Sequence, residues 1–340
     1  MKKILIIFLL AFLLSTGYSI AKNNVSHNSI KFAYITDLNL YPTPGASFKE
    51  KHLVEMKRGI LLYENQAVFQ DIIRQINLQI KPDIVIFGGN NIFKPRDAKS
   101  FLPGSDYLQL FLDMASEIKS EILLIFGINE IMSREKEDLL NILNSFGVSA
   151  NDYWWSYKFK NYNFIGLDSE LFFLKSHLAN KQLEWFSKNL SGNQDSKTIV
   201  LLHKPLIYPD GRIIPGESTK RFFDIVAKNP QVILLLSGGS YLNRVKLLQN
   251  VVYVLSPSPV VFPCGFKEIE INKGIIRIKT VNIPLKGVIK KAESSLKDSE
   301  FARSMYPDSP KKVLGYVTGT GFDINASIKI SDLKPDLRNR

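Results

Sequence analysis

At 340 residues and 45% hydrophobic, the chain can bury a sizeable core, and 22% charged with 11% aromatic residues exclude a disordered protein. The formal charge of +12 is spread along the sequence, which argues for a lysine-rich solvated surface and against a dedicated nucleic-acid site. Cys264 is the sole cysteine, so no internal disulfide forms and the core must hold the fold alone.

The first 21 residues read as a secretory signal peptide: Lys2 and Lys3, an apolar run over 4–14, and the small-x-small site Ser19-Ile20-Ala21. That run is short for a bilayer, no cysteine sits near the cleavage site to suggest a lipoprotein, and no later segment is long enough to span. The mature chain is therefore expected to be exported, periplasmic or secreted in a bacterium, with no membrane span after cleavage. Its formal charge falls by two, from +12 to +10, because residues 1–21 hold Lys2 and Lys3 and no acidic residue.

Residues 22–30 are a polar linker containing His27. A strand over 31–36 ends at Asp37-Leu38-Asn39, and a loop over 40–60 carries Pro42, Pro44, Gly45 and His52. Apolar residues at helical spacing (Val68, Ile72, Ile73, Ile76) predict a helix over 63–80, stopped by Pro82. The run Ile84-Val85-Ile86-Phe87 then reads as a central strand buried on both faces and ending in Gly88-Gly89-Asn90-Asn91. Ser105 is a candidate cap for a helix reaching about residue 119, a strand over 121–126 ends at Gly127-Ile128-Asn129-Glu130, and Ser133 is a candidate cap for the next helix.

Residues 154–160 and 163–167 read as an antiparallel strand pair, with His177 beside the helix that follows. Buried strands over 198–202 and 232–236 end at His203-Lys204-Pro205 and Ser237-Gly238-Gly239-Ser240-Tyr241. A β tail covers 251–281, within which Cys264 reads as a packing residue between aromatics. Residues 286–340 are polar, with one helix expected near 289–305. Alternating strands and helices followed by antiparallel strands predict an α/β protein with a mixed sheet, its site at the strand tips.

In order, the five tips ITDLN, FGGNN, FGINE, LLHKP and SGGSY resemble the motifs of the calcineurin-like metallophosphoesterases: D-x-H, G-D, G-N-H-[DE], a histidine before proline, and G-H-x-H. The flanks YWWSYKFKNYNFIGLDS and QLEWFSKNL are similar too, so the resemblance covers residues 31–281. It implies a four-layer α-β-β-α sandwich with mixed sheets, divided here into a domain over 31–285 and a polar, partly helical extension over 286–340. It also implies two divalent metal ions (manganese, iron or zinc) sharing an aspartate and activating water against a phosphoester.

Position by position, the implied metal shell is mostly replaced. Asp37 and His203 remain as potential metal ligands, but Asn39 stands at a ligand-histidine position and Asn90 at the bridging aspartate. Ile128 stands at the ligand asparagine, Asn129 at the catalytic histidine, and Gly239 and Tyr241 at both histidines of the last motif. The expectation is a catalytically degenerate member, without a metal cofactor, acting by binding a ligand or protein partner. The alternatives are an active phosphoesterase with an atypical or mononuclear site, and an envelope protein that binds anionic polymer through its basic surface.

Overall fold

The computed structural model describes residues 29–41, 57–94, 106–174, 176–248 and 250–333. The leader over 1–21, His27, His52 and Ser105 lie outside the described residues. No described helix is long and apolar enough to cross a membrane.

Twelve strands form two six-stranded sheets among the described residues. The first has the order β12-β11-β10-β1-β2-β3. In it β1 (Ile30–Ile35), β2 (Ile84–Phe87) and β3 (Glu121–Leu124) run parallel, and β10 (Gly265–Asn272), β11 (Ile275–Asn282) and β12 (Asn325–Lys329) add antiparallel. The second has the order β4-β5-β6-β7-β9-β8. Its parallel centre is β5 (Tyr162–Gly166), β6 (Lys197–Leu202), β7 (Val232–Ser237) and β9 (Val251–Leu255). Its antiparallel edges are β4 (Trp155–Phe159) and β8 (Arg244–Leu248).

Strand alternation makes this a sandwich. In β6, Ile199 and Leu201 join the core between the sheets, while Val200 and Leu202 join the cluster beneath the outer helices. Across the gap Phe32 meets Phe164 edge-on at 5.8 Å, and the Tyr34 hydroxyl donates to the Leu202 carbonyl at 3.3 Å. Helix α1 (Asn65–Gln75) covers the first sheet with α2 (Tyr107–Ala115), whose Phe111 packs edge-on against Phe87 at 4.9 Å. On the opposite outer face α5 (His177–Ser191) and α6 (Glu217–Lys228) stack Phe186 on Phe222 at 5.5 Å. Two short helices, α3 (Ile128–Ile131) and α4 (Lys136–Ser145), follow β3. The result is the expected four-layer α-β-β-α arrangement.

The boundaries differ from expectation where side chains compete for the backbone. The first helix widens after Gln75 into a π turn over Ile76–Ile80, and Lys81 ends it in the left-handed region at φ 48°. Asp106 caps α2, accepting from Gln109 N–H at 2.9 Å. Ser133 caps nothing; its hydroxyl donates to the Glu130 carbonyl, and α4 begins three residues later. The single helix expected over 289–305 is two, α7 (Lys286–Lys297) and α8 (Glu300–Met305). Ser299 separates them, donating to the Leu296 carbonyl and accepting from Ala302 N–H.

The segment after residue 285 continues with α9 (Lys312–Thr318) and α10 (Gly321–Ile324) and ends in β12, which pairs with β11. Its Leu296, Ala302, Val313 and Val317 are buried in the cluster under the second sheet. Lys267 of β10 fastens it from inside. That ammonium, fully buried, donates to Thr280 Oγ1 at 2.9 Å, to the Asp323 carbonyl at 2.7 Å and to Asn243 Oδ1.

Candidate functional site at the strand tips

The first, second and fifth tips are strand ends followed by a sharp backbone reversal. Asp37, Asn39, Asn90 and Tyr241 adopt left-handed φ angles of 58°, 49°, 50° and 59°, and Gly89 and Gly239 lie at 86° and 67°. Asparagine and aspartate tolerate this region better than other side chains, and tyrosine does so at a cost. These reversals bring the tips together. Asp37 N–H donates to the Gly89 carbonyl at 3.0 Å, and Asn39 N–H donates to the Asn90 carbonyl at 3.0 Å.

Asp37 is the hub. It is fully buried; its Oδ2 accepts from Thr36 Oγ1 at 2.9 Å and from Gly239 N–H at 2.8 Å, and its Oδ1 accepts from Asn90 Nδ2 at 3.4 Å. Burial pushes its carboxyl pKa up, while nearby His203 and these donors pull it back. His203 is 3% exposed, with Nδ1 at 2.8 Å from the Gly88 carbonyl. A carbonyl only accepts, so Nδ1 carries hydrogen, and Nε2 faces Asp37 Oδ1 across 3.9 Å.

Three of the asparagines are used internally. Asn90 spans the centre, donating to Asp37 and accepting from Asn129 N–H at 3.2 Å. Asn129 Nδ2 donates to the Ile92 carbonyl, and Asn39 Nδ2 donates to the Asp37 carbonyl, both at 2.9 Å. Asn91 is fully buried and neither of its amide atoms has a partner. Glu130 ties the second tip to the third, accepting from the N–H groups of Gly127, Asn90, Asn91 and Ile92.

Ile128 is 39% exposed and offers no polar atom. The Tyr241 hydroxyl receives hydrogen bonds from Asn39 and Arg58, and burial drives its pKa upward. His177 opens α5 and is exposed. The Cys264 thiol is buried, with its pKa pushed up to about 12. Thr36, Asn65 and Arg58 were not legible as site residues. Asn65 Nδ2 donates to the Asn39 carbonyl at 2.6 Å from within α1, and only a polar residue inside an apolar helix face could have signalled it.

Backbone crests pass close enough to demand glycine. A Cβ at Gly238 would sit 1.9 Å from Thr36 Oγ1 and 2.8 Å from Asp37 Oδ2. Gly238→Ala is therefore expected to cost about 1–3 kcal/mol of stability, the range of core overpacking. Urea denaturation measures it, and a loss below about 0.5 kcal/mol would mean that Thr36 rotates freely out of the way.

A pair of divalent ions does not fit these residues. Asp37 has both oxygens engaged, His203 offers Nε2 alone, and the Glu130 carboxylate is occupied by backbone donors. No group of three His, Cys, Asp or Glu side chains among the described residues is arranged to hold a metal ion. Two dications a few ångströms apart need more anionic ligands than one carboxylate supplies.

No protein-family model and no curated protein matches the sequence. Solved structures do resemble the fold. A dimetal phosphatase from Danio rerio matches with a TM-score of 0.57 at 12% identity, over 74% of this chain and 97% of that one. GAP50, the anchor in the inner membrane complex of Plasmodium, matches with a TM-score of 0.50 at 12% identity, over 77% and 87%. A Staphylococcus aureus protein assigned as a 5′-nucleotidase and solved with alpha-ketoglutarate matches with a TM-score of 0.50 at 12% identity, over 79% and 59%.

Proposed function

We propose that this chain, which has the fold of the calcineurin-like metallophosphoesterases, is an exported protein that has lost phosphoester chemistry and acts by binding. The observation that carries this reading is the Asn90 side chain. It stands where a bridging carboxylate is implied and spends its amide on Asp37 Oδ1 and Asn129 N–H. An uncharged amide held between two partners of its own chain cannot offset the repulsion of two metal ions. The Plasmodium anchor supports a binding role on this fold.

The test is metal content and hydrolysis by residues 22–340, purified without chelator and then supplied with manganese, iron or zinc. The expected result is no stoichiometric metal and no cleavage of phosphomonoesters or phosphodiesters above the metal-only background. Two tightly held ions per chain, with hydrolysis abolished by Asp37→Ala, would overturn the reading. A mononuclear site is the second reading, because Asp37 Oδ1 and His203 Nε2 face each other across 3.9 Å. One ion per chain, lost in His203→Ala, would support that instead.

A further inference from the structure

The fifth tip also borders a cavity of about 220 Å³, which Gly239, Ser240 and Tyr241 help to line. One wall is the turn carrying Ser240 and Tyr241; the other is the C-terminal segment, through Leu296 of α7, Phe301 of α8 and Val317 of α9. Arg58, an exposed residue, completes the lining.

Three features single this cavity out. Ser240 Oγ is buried there with no hydrogen-bond partner, a hydroxyl that ordinarily finds one. The backbone beside Arg58 is held close to α7: Gly59 has φ +70°, and a Cβ there would lie 2.8 Å from the Leu296 backbone. Tyr241 holds a left-handed conformation that tyrosine adopts only at a cost, and its hydroxyl meets Arg58. Backbone strain beside an unsatisfied hydroxyl is common where a ligand is gripped.

We propose that this cavity binds a small amphipathic carboxylate, its anionic end held by Arg58 and Tyr241 and its apolar body against Leu296, Phe301 and Val317. The guanidinium matches a planar carboxylate. The volume lies between a benzene-sized cavity and a drug-sized pocket, which suits a ligand of about ten heavy atoms. The net positive charge of the chain favours an anion over a neutral analogue. This assignment rests on the binding role proposed above and gives it a place and a ligand class.

Calorimetric titration of residues 22–340 tests it with octanoate and phenylacetate as probes. Controls are acetate (charge without body), 1-octanol (body without charge) and inorganic phosphate. The expected result is saturable binding of either probe and none of acetate. Arg58→Ala should weaken binding about tenfold, the worth of one charge-assisted hydrogen bond. Val317→Trp should abolish it by filling the cavity, with circular dichroism checking that the variant folds. Phosphate or octanol binding as well as the probes do, no probe binding, or affinity unchanged in Arg58→Ala would each overturn the assignment. Those failures leave the loss of phosphoester chemistry untouched, since that is decided by the metal and hydrolysis assays.

Discussion

Replacing Glu130 with leucine should lower the free energy of unfolding by about 4 kcal/mol or more. The carboxylate is 1% exposed and accepts from Gly127 N–H at 2.8 Å, Asn90 N–H at 3.0 Å, Asn91 N–H at 2.6 Å and Ile92 N–H at 3.2 Å. Leucine fills the space but leaves those donors facing a hydrocarbon, and each unmatched buried group costs about 1–3 kcal/mol. Against a typical total of about 5–15 kcal/mol, such a loss threatens folding itself. Glu130→Gln is the informative companion. It keeps one acceptor oxygen and turns amide hydrogens toward N–H donors, so about 2–3 kcal/mol should be lost. Denaturant titration should rank wild type above Gln above Leu. A leucine variant within about 1 kcal/mol of wild type would show that the two tips hold together without the carboxylate.

The second large effect is one of pH. Burial lowers the Lys267 pKa from 10.5 to about 7, against the opposing pull of Asp323. In the unfolded chain this lysine keeps its proton up to its ordinary pKa. Between the two values the unfolded state therefore binds more protons than the folded one, and stability rises with pH. The slope approaches about 1.4 kcal/mol per pH unit, and the gain is lost as pH falls through the folded value. Lys267→Met removes the titration, so the variant should show a flatter profile between pH 7 and 8.5. Above that window the buried Cys264 thiol and Tyr253 phenol, both pushed up to about 12, oppose the gain, because the folded state retains their protons. Parallel stability profiles for wild type and variant would show that Lys267 keeps its charge in the folded protein.

The sandwich was legible because each core strand is an unbroken apolar run ending in small polar residues, a pattern that survives when the side chains of the site do not. The use of those side chains was not legible. Asn39, Asn90 and Asn129 stood out only as replaced ligand positions, and in the fold they spend their amides on the Asp37 carbonyl, on the Asp37 carboxylate and Asn129 N–H, and on the Ile92 carbonyl. What decides this is the left-handed backbone at residues 37, 39 and 90, which no periodicity reveals. The same geometry explains why asparagine in particular occupies two of these positions: it fits the conformation, and its amide reaches the Asp37 carbonyl from residue 39 and the Asp37 carboxylate from residue 90.

The C-terminal segment was opaque for another reason. Its buried residues Leu296, Ala302, Val313 and Val317 are spread over three short helices among lysines and serines, and only the first, where Val288, Ala292 and Leu296 recur at helical spacing, carries a stripe. Strand β8 escaped notice as well, since Arg244, Lys246 and the exposed Leu247 interrupt its alternation. Edge strands are half-solvated, and their sequences carry correspondingly less signal.

Strand β12 matters most for what it hides. It is paired along residues 275–279 of β11, a stretch holding Ile276 and Ile278. Stripped of that cover, β11 would offer a row of unmet amides and carbonyls flanked by bare isoleucines, which is the geometry that recruits a second copy and grows intermolecular sheet. Asn325 and Lys329 bracket the covering strand with polar groups that discourage such growth. Strand β12 thus covers an edge of β11 that would otherwise invite self-association.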